Sequence, residues 1–179
     1  LNLTYETREG ILKHCAPKRA HELGDLGRRF IDGTQPSLEA QLCNLADEIG
    51  YNNHDVDDGL RSGLIALEQL EEAGIWARHV AIVRKDYPQI AGRRLIHETV
   101  RRMINSLAVD LIEETGRNIA GTGVGTLNEV RKAGPLAAFS VAMHAEHKEL
   151  KHFLRMNLYQ HYQVLRMTNK ARRIITDLF

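Results

Sequence analysis

The chain has 179 residues, 43% of them hydrophobic by type, and its 24 Lys and Arg against 23 Asp and Glu leave a net charge of +1. That length predicts a single unit over residues 1–179 with enough apolar material for a sizeable core. The near-zero balance excludes a globally polycationic or polyanionic protein, so any electrostatic function is local. Cys15 and Cys43 form no CxxC pair and no secretory h-region opens the chain, which predicts reduced thiols in a cytoplasmic protein. The longest nearly apolar stretch, Leu136 to Met143, is far short of the roughly 20 residues a bilayer span needs, so no membrane is expected. Residue 1 is Leu, and Phe179 closes a helical pattern without a Gly stop, which predicts a piece of a longer chain.

Apolar residues recur at spacings of three and four throughout, with no Asn-Gly or Asp-Gly hairpin signal, and predict an all-α chain. Thr4 caps a short helix through about His14, stopped by Pro17. A second piece runs from about Lys18 to Phe30, loosened by Gly24 and Gly27. After a loop at Asp32–Pro36, Ser37 caps a long helix expected to reach about Leu64. Further helices are predicted at Ala66–Ala73, Ile75–Tyr87, Arg93–Gly116, Leu127–Ala133, Val141–Tyr159 and Tyr162–Phe179. The glycines at 121, 123 and 125 follow a helix rather than a strand and lack phosphate-loop spacing, so a plain loop is expected there.

The long helix carries the most information. Leu38, Leu42, Leu45, Ile49, Val56, Leu60 and Leu64 share an arc of about 100° and are predicted to face the core. Opposite them, Asp47, Tyr51, His54, Asp55 and Asp58 form one polar stripe. Between Arg29 and Arg61 there are seven acids and no Lys or Arg. Like charges one turn apart are unfavourable by about 0.2–0.5 kcal/mol each, so the stripe reads either as a solvated face or as one built to meet a cation or hydroxyls. A divalent metal would offset the repulsion, since it accepts carboxylate oxygen and imidazole nitrogen. His54 and Asp58 alone supply at most two ligands where a catalytic centre needs three or more. His144, His147 and His152 sit among Lys148 and Lys151 and read as a solvated basic helix. From Lys148 to Arg173 seven bases face one acid, Glu149, which is either a solvated face or a contact for phosphate, a nucleotide effector or nucleic acid.

Three blocks carry a resemblance: Leu1 to His14; Leu38-Glu-Ala-Gln-Leu42; and Leu45-Ala-Asp-Glu-Ile-Gly-Tyr-Asn-Asn-His-Asp-Val-Asp-Asp58. Together with His161 to Arg172 they resemble the bacterial deoxyguanosinetriphosphate triphosphohydrolase-like proteins of the HD-domain superfamily. The resemblance implies the central to C-terminal part of a multi-helix HD-domain (PDEase-like) phosphohydrolase fold. It also implies cleavage of a deoxynucleoside triphosphate at the α-phosphate, giving deoxynucleoside and tripolyphosphate, at a Mg²⁺ or Mn²⁺ ion held by two His and two Asp. By that likeness Asp47 is the last metal-ligating Asp, Tyr51 lies beside the sugar, Asp55 accepts the sugar 3′-hydroxyl, Lys13 reaches the phosphates, and His14 is an adjacent candidate. His54-Asp55 is not the family's defining His-Asp pair. That pair, a further His and the catalytic His and Glu would precede Leu1, so this chain alone is expected to be inactive. The family implies a homo-oligomer, often a hexamer. A non-catalytic helical module for nucleotide, nucleic acid or oligomer contacts is the alternative, and another phosphate ester is a third.

Overall fold

The structure, a computed structural model, describes residues 2–12 and 15–179, and every regular element among them is helical. In chain order these are α1 (Tyr5–Ile11), α2 (Pro17–Ala20), a 3-10 stretch (His21–Gly27), α3 (Arg28–Asp32), α4 (Leu38–Ser62), α5 (Leu67–Leu70), α6 (Gly74–Asp86), α7 (Gly92–Thr122), α8 (Leu127–Lys132), α9 (Val141–Leu154), a π turn (Arg155–Tyr159) and α10 (Tyr162–Leu178). The all-α expectation is met. Thr4 caps α1 as predicted, its Oγ1 accepting from the Thr7 amide at 3.3 Å. Ser37 Oγ accepts from the Ala40 amide at the start of α4. The single helix expected at Lys18–Phe30 is instead three short pieces, because Gly24 adopts φ 56°, outside the helical region. The helix predicted to stop at Gly116 continues to Thr122 before Gly123 turns at φ 66°. There the Asn118 side chain ties the extra turns to the Leu136 carbonyl. The last turn of the predicted Val141–Tyr159 helix widens to π geometry.

Contacts gather these elements into two compact units. One comprises the chain up to Ile49 with Ala108–Ser140; the other comprises Gly50–Leu107 with Val141–Phe179. In the first, the Gln41 carboxamide donates to the Pro36 carbonyl at 3.0 Å and accepts from the Leu136 and Ala137 amides at 2.9 and 3.3 Å. The Glu9 carboxylate, 1% exposed, is met by Arg131 at 3.3 Å, and Asp110 accepts from both the amide and the hydroxyl of Ser140.

In the second unit Leu70, Trp76, Met103, Leu107, Leu150 and Leu154 are fully buried, each contributing about 1.5–3 kcal/mol by leaving water. Helices α6 and α9 are also joined by polar contacts: the Glu149 carboxylate accepts from the Gly74 amide that opens α6, and Arg78 pairs with Glu146. At the end of α4 the chain folds back so tightly that a Cβ on Gly59 would stand 2.5 Å from Ile65 Cδ1. The Gly59 carbonyl then accepts from the Leu64 and Ile65 amides and closes the helix at Ser62, short of the predicted Leu64.

The predicted core face of α4 needs correction. Ile49 and Val56 are buried, but Leu38, Leu42, Leu45, Leu60 and Leu64 are only half-buried. The buried arc takes in Gln41, Asn52 and Asn53 instead, which the apolar pattern did not mark. No helix among the described residues is long and apolar enough to cross a membrane.

Candidate functional site

Helix α4 holds Asp47, Tyr51 and Asp55 on successive turns, the arrangement a four-residue spacing dictates on an unbroken helix. Tyr51 is 64% exposed, and Asp47, His54 and Asp58 are exposed, so the stripe faces away from the packed side of the helix. Asp55 is half-buried, and its Oδ2 accepts a hydrogen bond from the hydroxyl of Tyr159, on the π turn that follows α9. Burial first, and that hydrogen bond second, push the Tyr159 phenol up to about 12, which keeps it a donor at any ordinary pH. One turn beyond Asp55, a cavity of about 340 Å³ is lined by Asp58, Gly59, Ser62, Leu64 and Leu158.

Behind this stripe lies a pair the sequence reading missed. The Asn52 amide nitrogen stands 2.8 Å from His147 Nε2, with both residues 4% exposed. The Asn52 carboxamide and the His147 ring thus satisfy one another inside the core. His147 is therefore not part of a solvated basic face as expected, whereas His144 and His152 are exposed. The signal was present: His147, Leu150 and Leu154 share one face of α9 at i, i+3 and i+7. No local pattern marks Tyr159, because its partner is 104 residues away.

Lys13 and His14 lie outside the described residues. The glycine run at 121–125 has no phosphate-loop geometry: the Gly125 and Thr126 amides donate to the Glu129 carboxylate at 2.8 and 2.9 Å. Those bonds hold the Glu129 carboxyl below the usual range and form a capping box for α8. The bases of the C-terminal run, from Lys148 to Arg173, are exposed.

A metal centre of the family's kind needs several ligands together. Among the described residues no group of three or more His, Cys, Asp or Glu side chains is placed to hold a metal ion, so the residues present do not make up such a centre. The Asp47 carboxylate is exposed and chemically suited to be one oxygen ligand of a centre completed by other residues.

Residues 137–179, which include the Tyr159 turn and α10, match the phosphohydrolase-associated domain. That segment and the all-helical architecture fit a phosphohydrolase fold of the HD type. Along its whole length the chain is homologous to proteins named deoxyguanosinetriphosphate triphosphohydrolase-like. It is 63% identical over all 179 residues to one from Thiobacillus denitrificans, covering 48% of that protein. It is 62% identical to those from an Azoarcus species and Ralstonia nicotianae, covering 47% and 46% of them. The chain thus spans about half the length of the curated relatives it matches, and the family resemblance read from the sequence is borne out.

Proposed function

We propose that this chain is the sugar-recognising part of a metal-dependent deoxynucleoside triphosphate triphosphohydrolase. The observation that carries this reading is 63% identity over 179 residues to a protein named deoxyguanosinetriphosphate triphosphohydrolase-like. In this reading Asp47 supplies one ligand to a Mg²⁺ or Mn²⁺ ion whose other ligands lie outside the chain. Tyr51 presents its exposed ring to the deoxyribose, and Asp55 accepts the 3′-hydroxyl. Lys13 neutralises the polyphosphate, with His14 beside it. The composition of this stretch supports the assignment, since seven acids and no Lys or Arg lie between Arg29 and Arg61, and like charges one turn apart gain from a cation or hydroxyl donors. A homo-oligomer, which the family resemblance implies, often as a hexamer, is the expected assembly, and the cytoplasm its compartment.

The test uses a protein of the relatives' full length. Asp47→Ala abolishes tripolyphosphate release from deoxynucleoside triphosphates and lowers bound metal, whereas His54→Ala leaves metal content near that of the unaltered protein. Equal metal loss in both variants, or release of orthophosphate or pyrophosphate instead of tripolyphosphate, overturns the reading.

A second reading, a non-catalytic helical module, draws on α10, which has no buried residue and exposes Arg166, Lys170, Arg172 and Arg173. It requires salt-sensitive binding of single-stranded nucleic acid with no hydrolysis by the full-length protein.

A further inference from the structure

The turn between α6 and α7 carries a second concentration of charge, independent of α4. Two cavities of about 390 and 490 Å³ share Tyr87, Ile90 and Arg94, and these volumes fall within the range of small-molecule sites. Arg94, His97 and Arg101 line the first of them at i, i+3 and i+7, one face of α7, together with Glu98, and Tyr87, 52% exposed, lines it too.

The charges here divide into two sets. Asp86, Arg102, Glu98 and Arg101 form a closed chain of ion pairs: Arg102 reaches Asp86 at 2.6 Å and Glu98 at 2.8 Å, and Arg101 meets Glu98 at 2.7 Å. Two acids and two bases cancel within that set. The Arg101 and Arg102 hydrogen bonds hold the Glu98 carboxyl at about 2, so the set stays ionised and paired. The Arg102 guanidinium stands 5.8 Å from the Tyr87 ring centroid and supports the ring from its own side.

Arg93, Arg94 and His97 are the second set. All three are exposed, and none has a hydrogen-bond or ion-pair partner among the described residues. Both arginines occupy the first turn of α7, which contains no acid. Cations there face the positive end of the helix dipole, an arrangement that is unfavourable until an anion arrives. An arginine and a histidine without ion-pair partners line one cavity together with a half-exposed tyrosine ring and an isoleucine, a lining that suits a ligand with an anionic end and a flat end.

We propose that the α6–α7 corner binds a phosphate monoester joined to a planar ring system, the chemistry of a nucleoside monophosphate. Arg94 and His97, which line the cavity, take the phosphate, Arg93 adds charge from the same first turn of α7, and Tyr87 with Ile90 takes the ring. The site uses no residue of α4, so it stands or falls separately from the reading above.

Calorimetric titration of the 179-residue protein with GMP, inorganic phosphate and guanosine tests it. GMP binds saturably, more tightly than phosphate, and guanosine binds weakest. Arg94→Ala weakens GMP and phosphate alike by roughly tenfold or more, the loss of a charge-assisted contact. Tyr87→Ala weakens GMP by roughly tenfold and leaves phosphate unchanged, because stacking contributes only to the ring. Both side chains are exposed, and circular dichroism of the variants establishes that the helices are retained. Absence of saturable GMP binding at millimolar concentration overturns the proposal. So does GMP binding that survives Arg94→Ala but is lost in Asp55→Asn, which would locate the ligand on α4. Indifference of GMP to Tyr87→Ala removes the ring contact and overturns it equally. An oligothymidylate that binds over a hundredfold more tightly than GMP at these residues would make the corner a nucleic-acid surface instead.

Discussion

Tyr159, in the segment matched by the phosphohydrolase-associated domain, donates its hydroxyl to Asp55 of α4, the carboxylate proposed to accept the substrate's 3′-hydroxyl. One oxygen of the carboxylate, Oδ2, is thereby occupied and its plane set, while Oδ1 remains available to a second hydroxyl. Tyr159 thus orients Asp55 rather than merely packing beside it.

In a protein of the relatives' full length, Asp55→Asn raises the substrate concentration needed by about one to two orders of magnitude, the worth of a hydrogen bond to a carboxylate at roughly 1.5–3 kcal/mol. Metal content stays unchanged, since Asp55 lies two turns, about 12 Å, along the axis from Asp47. A dideoxynucleoside triphosphate costs the unaltered protein a similar factor and costs Asp55→Asn little more, because both changes delete one contact. Losses that simply multiply show that Asp55 does not touch the 3′-hydroxyl.

The Tyr159 phenol titrates near 12 in ultraviolet absorbance, against its usual 10.0, and Asp55→Asn brings it part of the way back, since burial is the larger cause. A folded-state value above the unfolded one means that its contribution to stability is complete below pH 10. That contribution is lost as pH rises through about 12. A phenol titrating at the ordinary value refutes the contact.

Removing one member of the buried Asn52–His147 pair leaves the other without this partner, so Asn52→Leu and His147→Leu each destabilise by about 1–3 kcal/mol in urea unfolding. The double variant loses less than the sum. Strict additivity marks the two as independent.

Glu98 contributes to the acid limb. Its folded-state carboxyl lies near 2, below the ordinary 4.5, because Arg101 and Arg102 donate to it. The stabilisation is present above pH 4.5 and fades as pH falls towards 2, so Glu98→Gln flattens the loss of stability over that interval. An unchanged acid profile in this variant shows that the ion-pair chain is not held in solution.

The helices were legible because their periods, caps and stops are local. Thr4, Ser37 and the Thr126–Glu129 box act within one turn of where they stand in the sequence. Asp47, Tyr51 and Asp55 could be put on one face from spacing alone. What the pattern could not reveal depends on distant residues. Asn52 and Asn53 belong to neither the apolar arc nor the polar stripe, yet they are buried in α4, and Asn52 meets a histidine 95 residues later. Gly24 was legible as a loosening of its helix, but not as the full break that its φ of 56° makes.

Each of the two compact units is assembled from two separate stretches of chain, and the stretches alternate. During synthesis the N-terminal residues through Ile49 therefore wait for residues 108–140 before the Gln41 clamp on Leu136 and the Arg131 partner of Glu9 can form. The stretch beginning at Gly50 waits longer still, for α9 and the turn that carries Tyr159. Within these residues closure thus follows the chain order, and the Asp55–Tyr159 bond becomes possible only after residues 108–140 have been made. A nascent chain stalled before residue 141 lacks the helix that packs on α6, so apolar surface of α6 stays exposed through that interval, the kind of surface a chaperone holds.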